Sequence, residues 1–336
     1  KTVSWTQSAS DEPKSIVYHY EYNDKDKLTK AYTLIEGNDE YAESFTYDED
    51  NELSAITNPE NNTYALLCTN GKIDKVTDPV GNDMLLRYFS GKTVVMNQNG
   101  AASSYIFDGE GRVTKKVDPL NHEINYTYND DFQVTGVSYD NIVLNENKTI
   151  SYSYTYDENG NLTGVTGSGG SSVQYEGYNK WNKPQTVKVK KADNSWLITS
   201  YTYDEQGNLE STTDPTKKVS VNEYAKINGE DGYLVSSTDR LGKKTVYTYN
   251  AKGQVTQINE QNANGTEARR AAQYTYDAYG HTATSTDALK NTTSYTYNKM
   301  GFLIETQFAD ESTVSSTYSL TGNILSQTNA RGNTVY

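Results

Sequence analysis

One phrase returns along the whole chain, and it constrains the fold more than any other feature. It reads YSYTYDENGNLTGVT at 152–166, SYTYDEQGNLESTTDP at 200–215, VYTYNAKGQVTQIN at 246–259 and QYTYDAYGHTATSTD at 273–287. The second aromatic of the phrase stands at Tyr22, Tyr47, Phe107, Tyr128, Tyr156, Tyr203, Tyr249, Tyr276 and Tyr297, with weaker versions centred on Cys68, Phe89, Tyr178, Ile227 and Tyr318. These fourteen positions lie about 23 residues apart, thirteen steps across the 296 residues between Tyr22 and Tyr318. Self-similarity at a fixed short period signals an array of identical supersecondary units. The expected organisation is a lead-in strand or linker over 1–16 and a single continuous repeat array over 17–336.

Each unit reads as two short strands and two turns. After the tyrosines come Asp157-Glu158-Asn159-Gly160, Asp204-Glu205-Gln206-Gly207 and Asn250-Ala251-Lys252-Gly253. A polar first residue and a fourth-place Gly fit a type I turn ending in a left-handed residue, a common three-residue hairpin loop. The second turn is Asp-Pro: Asp78-Pro79-Val80-Gly81, Asp118-Pro119, Asp214-Pro215, with Asn58-Pro59 as a variant. Here Pro presets one backbone angle and the Asp side chain bonds back to turn amides. The strands between are Tyr, Thr, Val and Leu, residues that suit a pleated surface. Helix signals are missing, so the fold class is all-β: tandem antiparallel β-hairpins.

Parity along the strands adds one more expectation. Across the first turn Tyr203 faces Leu209, and across the Asn58 turn Asn58 pairs with Asn62 and Ile56 with Tyr64. Yet the apolar residues of the intervening strand stand three apart: Leu53 and Ile56, Ile73 and Val76, Leu162 and Val165, Val255 and Ile258. Strict alternation puts such pairs on opposite faces. One extra residue per unit, a β-bulge, returns them to a single Tyr/Leu/Val face, and bulges bend a strand the same way each time. The sheet is therefore expected to curl or spiral.

Composition agrees with a thin wall. Only 34% of the 336 residues are hydrophobic, and 30 Tyr stand against 6 Phe and 3 Trp. Tyr brings a large ring with a tip that tolerates water, so it serves a sheet with both faces near solvent. So many aromatics also argue against disorder. The net charge is −14 with no basic run longer than two residues, which excludes phosphate-driven nucleic-acid binding. One cysteine, Cys68, excludes an internal disulfide framework and a cysteine-based zinc site. No apolar run approaches 18 residues, so no membrane-spanning helix is expected. The chain opens on Lys1 and is read as an excised piece of something longer.

Residues that carry chemistry elsewhere have structural readings here. His19, His122 and His281 are far apart and form no nucleophile–base arrangement; His122 and His281 fall in or beside turns. Cys68 takes the place of the second Tyr in its unit and reads as a filling substitution, with no feature that would lower a thiol pKa. The acidic clusters YNDKDK (22–27) and YDEDNE (47–52) fall on first turns and lack the spacing of a calcium loop. Asn147-Lys148-Thr149 and Asn264-Gly265-Thr266 are N-glycosylation triplets only in a eukaryotic secretory host. Asp204 and Asp214 read as turn makers and Glu205 as a solvated loop tip. No catalytic, cofactor-binding or metal residue is assigned, and no cofactor is expected. The tyrosine rows invite a second idea, stacking on sugar rings, but their period matches hairpin packing and Trp is scarce.

Tyr-Thr-Tyr-Asp-Glu-x-Gly-Asn-Leu followed by Thr-Asp-Pro, as at 201–215, resembles the YD repeat of the Rhs family, and the resemblance runs from about Val17 to Tyr336. That family includes bacterial polymorphic toxins, wall-associated proteins of contact-dependent inhibition, the C subunit of insecticidal toxin complexes and teneurins. The resemblance implies a hairpin strip spiralling into a hollow, partial β-shell. It further implies a non-catalytic segment of a secreted or cell-surface bacterial toxin, enclosing and presenting a C-terminal toxin domain of its parent chain. A monomer is expected, with no nucleic-acid partner. The alternative is a surface adhesion module that binds cell-wall or surface glycan. Three units drift from the pattern: Val143–Lys148 lengthens one, Asn262–Ala272 another, and GSGGSS (167–172) replaces one Asp-Pro turn.

Overall fold

A computed structural model describes residues 2–5, 16–35, 39–141, 148–263 and 268–336. The protein is all-β, with thirty strands from Thr2–Trp5 to Thr334–Val335 and no helix among the described residues. Two compact units are present: Lys1–Leu85 with Val255–Ile258 and Arg269–Tyr336, and Leu86–Gln254 with Asn259–Ala268. In the first, each strand from Thr2–Trp5 pairs antiparallel with its successor as far as Asp83–Phe89. The same holds from Ala268–Tyr276 to Thr334–Val335. In the second, the run goes from Lys92–Met96 to Lys244–Tyr249. The two lengthened units and both glycosylation triplets fall wholly or partly outside the described residues.

The pairing read from the phrase is the pairing found. Tyr203 stands opposite Leu209 and Ile56 opposite Tyr64. Asn58 donates its amide to the Asn62 carbonyl at 3.0 Å. Bulges occur where the step of three requires them: the register slips between Thr46 and Tyr47, Leu67 and Cys68, Thr127 and Tyr128, and Thr155 and Tyr156. Thr163 is then the extra residue, and Leu162 and Val165 both oppose tyrosines. Hairpins closed by the second turn keep an unbroken register.

Two expectations need correction. A one-sided bulge is not universal: strands Ser172–Tyr178 and Pro184–Lys190 run from Glu176↔Thr186 to Tyr178↔Pro184 with no slip. Gly177, at φ 67°, breaks the alternation there instead, because glycine alone enters the left-handed region without a Cβ penalty. Nor are the two turns of a unit different in kind. Asp157 donates to Asn161 O while Gly160 donates to Asp157 O, and Asp118, Asn121 and His122 repeat that pattern around Pro119. The fourth residue is left-handed in both, Gly160 at φ 82° and Asn121 at φ 64°. GSGGSS closes in the same way, Gly167 to Ser171 and Gly170 to Gly167. Pro is tolerated at the second place because no bond needs its missing amide.

No apolar side chain is fully buried among the described residues; Ser236, Gly167 and Gly207 are the positions most removed from solvent. The Tyr/Leu/Val face is half-buried by contact between successive hairpins. On the other face hydroxyls pair across the strands beside the bulges: Thr46 with Ser54 at 3.1 Å, Thr127 with Thr135 at 3.1 Å, Thr155 with Thr163 at 3.0 Å. In these three units the Thr between the two aromatics meets the extra residue of the bulge, whereas Thr275 and Thr317 meet the residues directly opposite, Thr284 and Ser326.

The turn glycine has two separate reasons to be glycine. At Gly207 φ is 86°, and a Cβ would lie 2.8 Å from the Trp181 indole of the preceding hairpin; at Gly81 φ is 90° with open space around it. Gly81→Ala is therefore expected to cost about 1 kcal/mol through backbone strain alone. Gly207→Ala is expected to cost visibly more, because the indole must also move. Hydrogen exchange of the amides flanking each turn in the two variants checks this, and equal effects would refute the second reason.

Candidate functional site

The feature that recurs most clearly is a rung that ties a hairpin to the one before it. At a bulge one residue has no opposite number, and the ladder is interrupted. The carbonyl of the first bulged residue is then taken by the phenol of the next unit. Tyr47 Oη–H donates to Leu28 O at 2.8 Å, Tyr128 to Val113 O at 2.7 Å, and Tyr156 to Val134 O at 2.8 Å. Tyr249 reaches Leu234 O at 2.7 Å, Tyr276 reaches Val255 O at 2.6 Å, and Tyr318 reaches Leu303 O at 2.9 Å. Tyr178 bonds Leu162 O, and Tyr203 bonds Pro184 O at 3.0 Å, so the rung survives where the one-sided bulge does not.

A substitution at this position confirms what it is for. Cys68 donates its Sγ–H to Leu53 O at 3.4 Å, the carbonyl a tyrosine would take. On strand Val219–Ile227 a side chain outside that position reaches the same kind of carbonyl: Asn222 Nδ2, two residues before Tyr224, donates to Leu209 O at 3.0 Å. Burial pushes the Cys68 thiol up, and Asp48, Glu52 and Asp74 add to that, so it is held protonated. Burial likewise raises the phenols of Tyr178, Tyr203, Tyr249 and Tyr276, keeping them as donors.

Four tyrosines at this position also have a lid, supplied by the residue just after the turn of the preceding unit. Arg112 lies 5.2 Å over Tyr128, Lys183 lies 5.7 Å over Tyr203, and His281 stacks on Tyr297 at 4.7 Å. Phe302 tilts against Tyr318 at 5.3 Å. A cation or ring over a Tyr face is favourable by its quadrupole. This fifth place of the turn is the functional position that sequence reading passed over. Its signal was available: Arg, His, Lys and Phe recur one residue after the turn's left-handed position.

The turn aspartates form clasps. Asp204 Oδ1 accepts the amides of Gln206 and Asn208 while Oδ2 accepts Asn208 Nδ2 at 2.9 Å, and Glu205 is exposed. His122 and His281 use Nδ1 in the Asn role, at 2.8 Å from Asp118 and 3.0 Å from Asp277. His19 lies in a strand and stacks on Tyr32 at 4.8 Å. In the acidic clusters Asn23 accepts the amides of Lys25 and Lys27, and Asp48 that of Glu52. Among the described residues no three His, Cys, Asp or Glu side chains converge on one point, and no helix is long and apolar enough to cross a membrane. One open groove of about 590 Å³ crosses the hydroxyl face, floored by Gly164 between Thr155 and Gln174. It carries no nucleophile–base pair.

No family model matches the chain. The tRNA3(Ser)-specific nuclease WapA of Bacillus spizizenii is 29% identical over 201 residues, 57% of this chain and 8% of that protein. Among solved structures, TcdB2-TccC3-TEV aligns over 95% of this chain and 20% of the other at 14% identity, with a TM-score of 0.52, a likeness of fold. A second TcdB2-TccC3 structure aligns over 94% and 22% at 11% identity, with a TM-score of 0.39. This chain therefore spans a fifth of the structure whose fold it shares and under a tenth of the nuclease.

Two outcomes test these assignments. Tyr156→Phe keeps the ring and removes one hydrogen bond, leaving the Val134 carbonyl unmet; a loss of about 1 kcal/mol is expected. Local exchange rates in strands 134–141 and 148–156 measure it, and an unchanged rate would remove the rung from the account. Bonds from Thr216, Lys218 and Arg240 hold the Asp214 carboxyl down to about 2. Its folded value lies below the ordinary one near 3.9, so its stabilising share is complete above about pH 4 and fades as pH falls towards 2. A carboxyl titration of Asp214 followed by NMR is expected to show its midpoint near the low value, and Asp214→Ala to flatten the acid limb of thermal stability.

Proposed function

We propose that this chain is a non-catalytic wall segment of a secreted or surface-delivered bacterial toxin of the Rhs/YD-repeat kind. Residues 17–336 act as one hairpin array that curls into part of a shell, encloses a C-terminal toxin domain of the parent chain and presents it on delivery. The observation that carries this reading is the rung. Unit after unit supplies a donor for its predecessor and a carbonyl for its successor, so the array extends as a self-supporting sheet with no fully buried apolar side chain among the described residues. Its side chains are spent on turn clasps and rungs, which leaves a barrier. The fold likeness to TcdB2-TccC3-TEV and the sequence similarity to WapA support a toxin setting. The nuclease activity in the relative's name is assigned to other parts of such a protein, since this chain spans 8% of it.

The glycan-binding alternative is weakened by the same geometry. Sugar stacking needs a free aromatic face, and Tyr128, Tyr203, Tyr297 and Tyr318 each carry a lid from the neighbouring unit. Limited proteolysis of the full-length parent protein distinguishes the readings. The C-terminal domain is expected to resist protease in the parent and to become cleavable when Tyr156, Tyr178 and Tyr203 are changed together to Phe. Equal cleavage in both proteins would sink enclosure. Tyrosine-dependent retention on a glycan array would favour the adhesion reading instead.

A further inference from the structure

The turn Ser319-Leu320-Thr321-Gly322 departs from its kin at its first place. Other five-residue turns after a rung tyrosine begin with Asp or Asn, such as Asn23, Asp157, Asp277 and Asn298. There one side-chain oxygen accepts two amides, two and four residues on: Asp157 takes Asn159 and Asn161, and Asn298 takes Met300 and Phe302. Ser319 is too short for both. Its hydroxyl accepts the Asn323 amide at 3.1 Å.

The amide two residues on is met from elsewhere. Thr321 N–H donates to Glu60 Oε1 at 2.9 Å, and the Thr321 hydroxyl donates to the same oxygen. Glu60 is the third residue of the Asn58-Pro59-Glu60-Asn61 turn, 261 residues away in sequence and inside the same compact unit. The Ser319 hydroxyl lies 3.1 Å from that of Thr321, and together with the Thr321 donors it holds the Glu60 carboxyl below its usual range. A Ser where Asp or Asn is the rule thus meets the carboxylate of another turn's third residue in space.

We propose that Glu60 is the missing cap of the Ser319–Gly322 turn and thereby a register key, matching the Asn58–Asn61 turn to this hairpin of the same unit. The selectivity follows from the acceptor count. Asn23, Asp277 and Asn298 each satisfy their own second amide, and an aspartate there would also repel the Glu60 carboxylate. Unlike those turns, the serine turn leaves that donor to be claimed.

Residue-resolved hydrogen exchange in the full chain tests this. Glu60→Ala is expected to speed exchange at the Thr321 amide by about tenfold, since a bond to a charged acceptor is lost, while strand amides of 313–318 keep their rates. Adding Ser319→Asp to Glu60→Ala is expected to restore protection at Thr321, because the turn then carries the cap its kin carry. A rise of less than about fivefold in the single variant would overturn the proposal, and so would a double variant that regains no protection. Should strand 313–318 lose protection in the single variant, recovery at Thr321 in the double variant decides the matter alone.

Discussion

The phenol of one hairpin and the bulge carbonyl of the hairpin before it form the interaction on which the rest depends. A bulge exposes a carbonyl that the ladder no longer serves, and an unserved carbonyl near apolar side chains costs free energy. The rung tyrosine of the next unit meets it, while the ring covers the Leu and Val that the bulge returned to that face. In the second compact unit this runs as a relay from Val113 through Tyr128, Val134, Tyr156, Leu162, Tyr178, Pro184 and Tyr203. Remove the tyrosine and the bulge keeps an orphan; at Pro184, where no one-sided bulge forms, Tyr203 still finds its carbonyl.

The rung also explains how a sheet with no fully buried apolar side chain among its described residues holds its shape. Stability of such an array is a sum over units and nearest-neighbour contacts. The contacts here are hydrogen bonds, lidded rings and hydroxyl pairs, each worth about 1 kcal/mol or less. Cross-strand ion pairs such as Lys115–Glu123 at 2.6 Å and Lys244–Glu223 at 3.0 Å are solvent-facing and add little. A wall of this kind gains firmness by repetition.

Much of this was legible in the repeat. Tyr203 opposite Leu209, Ile56 opposite Tyr64 and the bulges behind the Leu-to-Val step all follow from parity, which is a property of neighbouring residues. Asp204 and Asp214 were readable as turn makers for the same reason. Other features were not. That Asp-Pro turns share the geometry of Gly-ended turns depends on Asn121 and Lys217 accepting a left-handed backbone, at φ 64° and 67°. The replacement of a bulge by Gly177 was hidden because two departures, one on each strand, cancel in the register. Arg112, Lys183 and His281 looked like ordinary surface residues until the following hairpin placed Tyr128, Tyr203 and Tyr297 beneath them.

By itself the sequence determined the hairpin period, the side each residue faces, the turn positions and the need for a bulge, because all of these follow from contacts within a few residues. The tertiary structure alone decided where each phenol finds its acceptor, what covers its ring, and which remote carboxylate caps the Ser319 turn. Those choices join groups from about fifteen to 261 residues apart, and no local rule of parity or propensity reaches across such a distance.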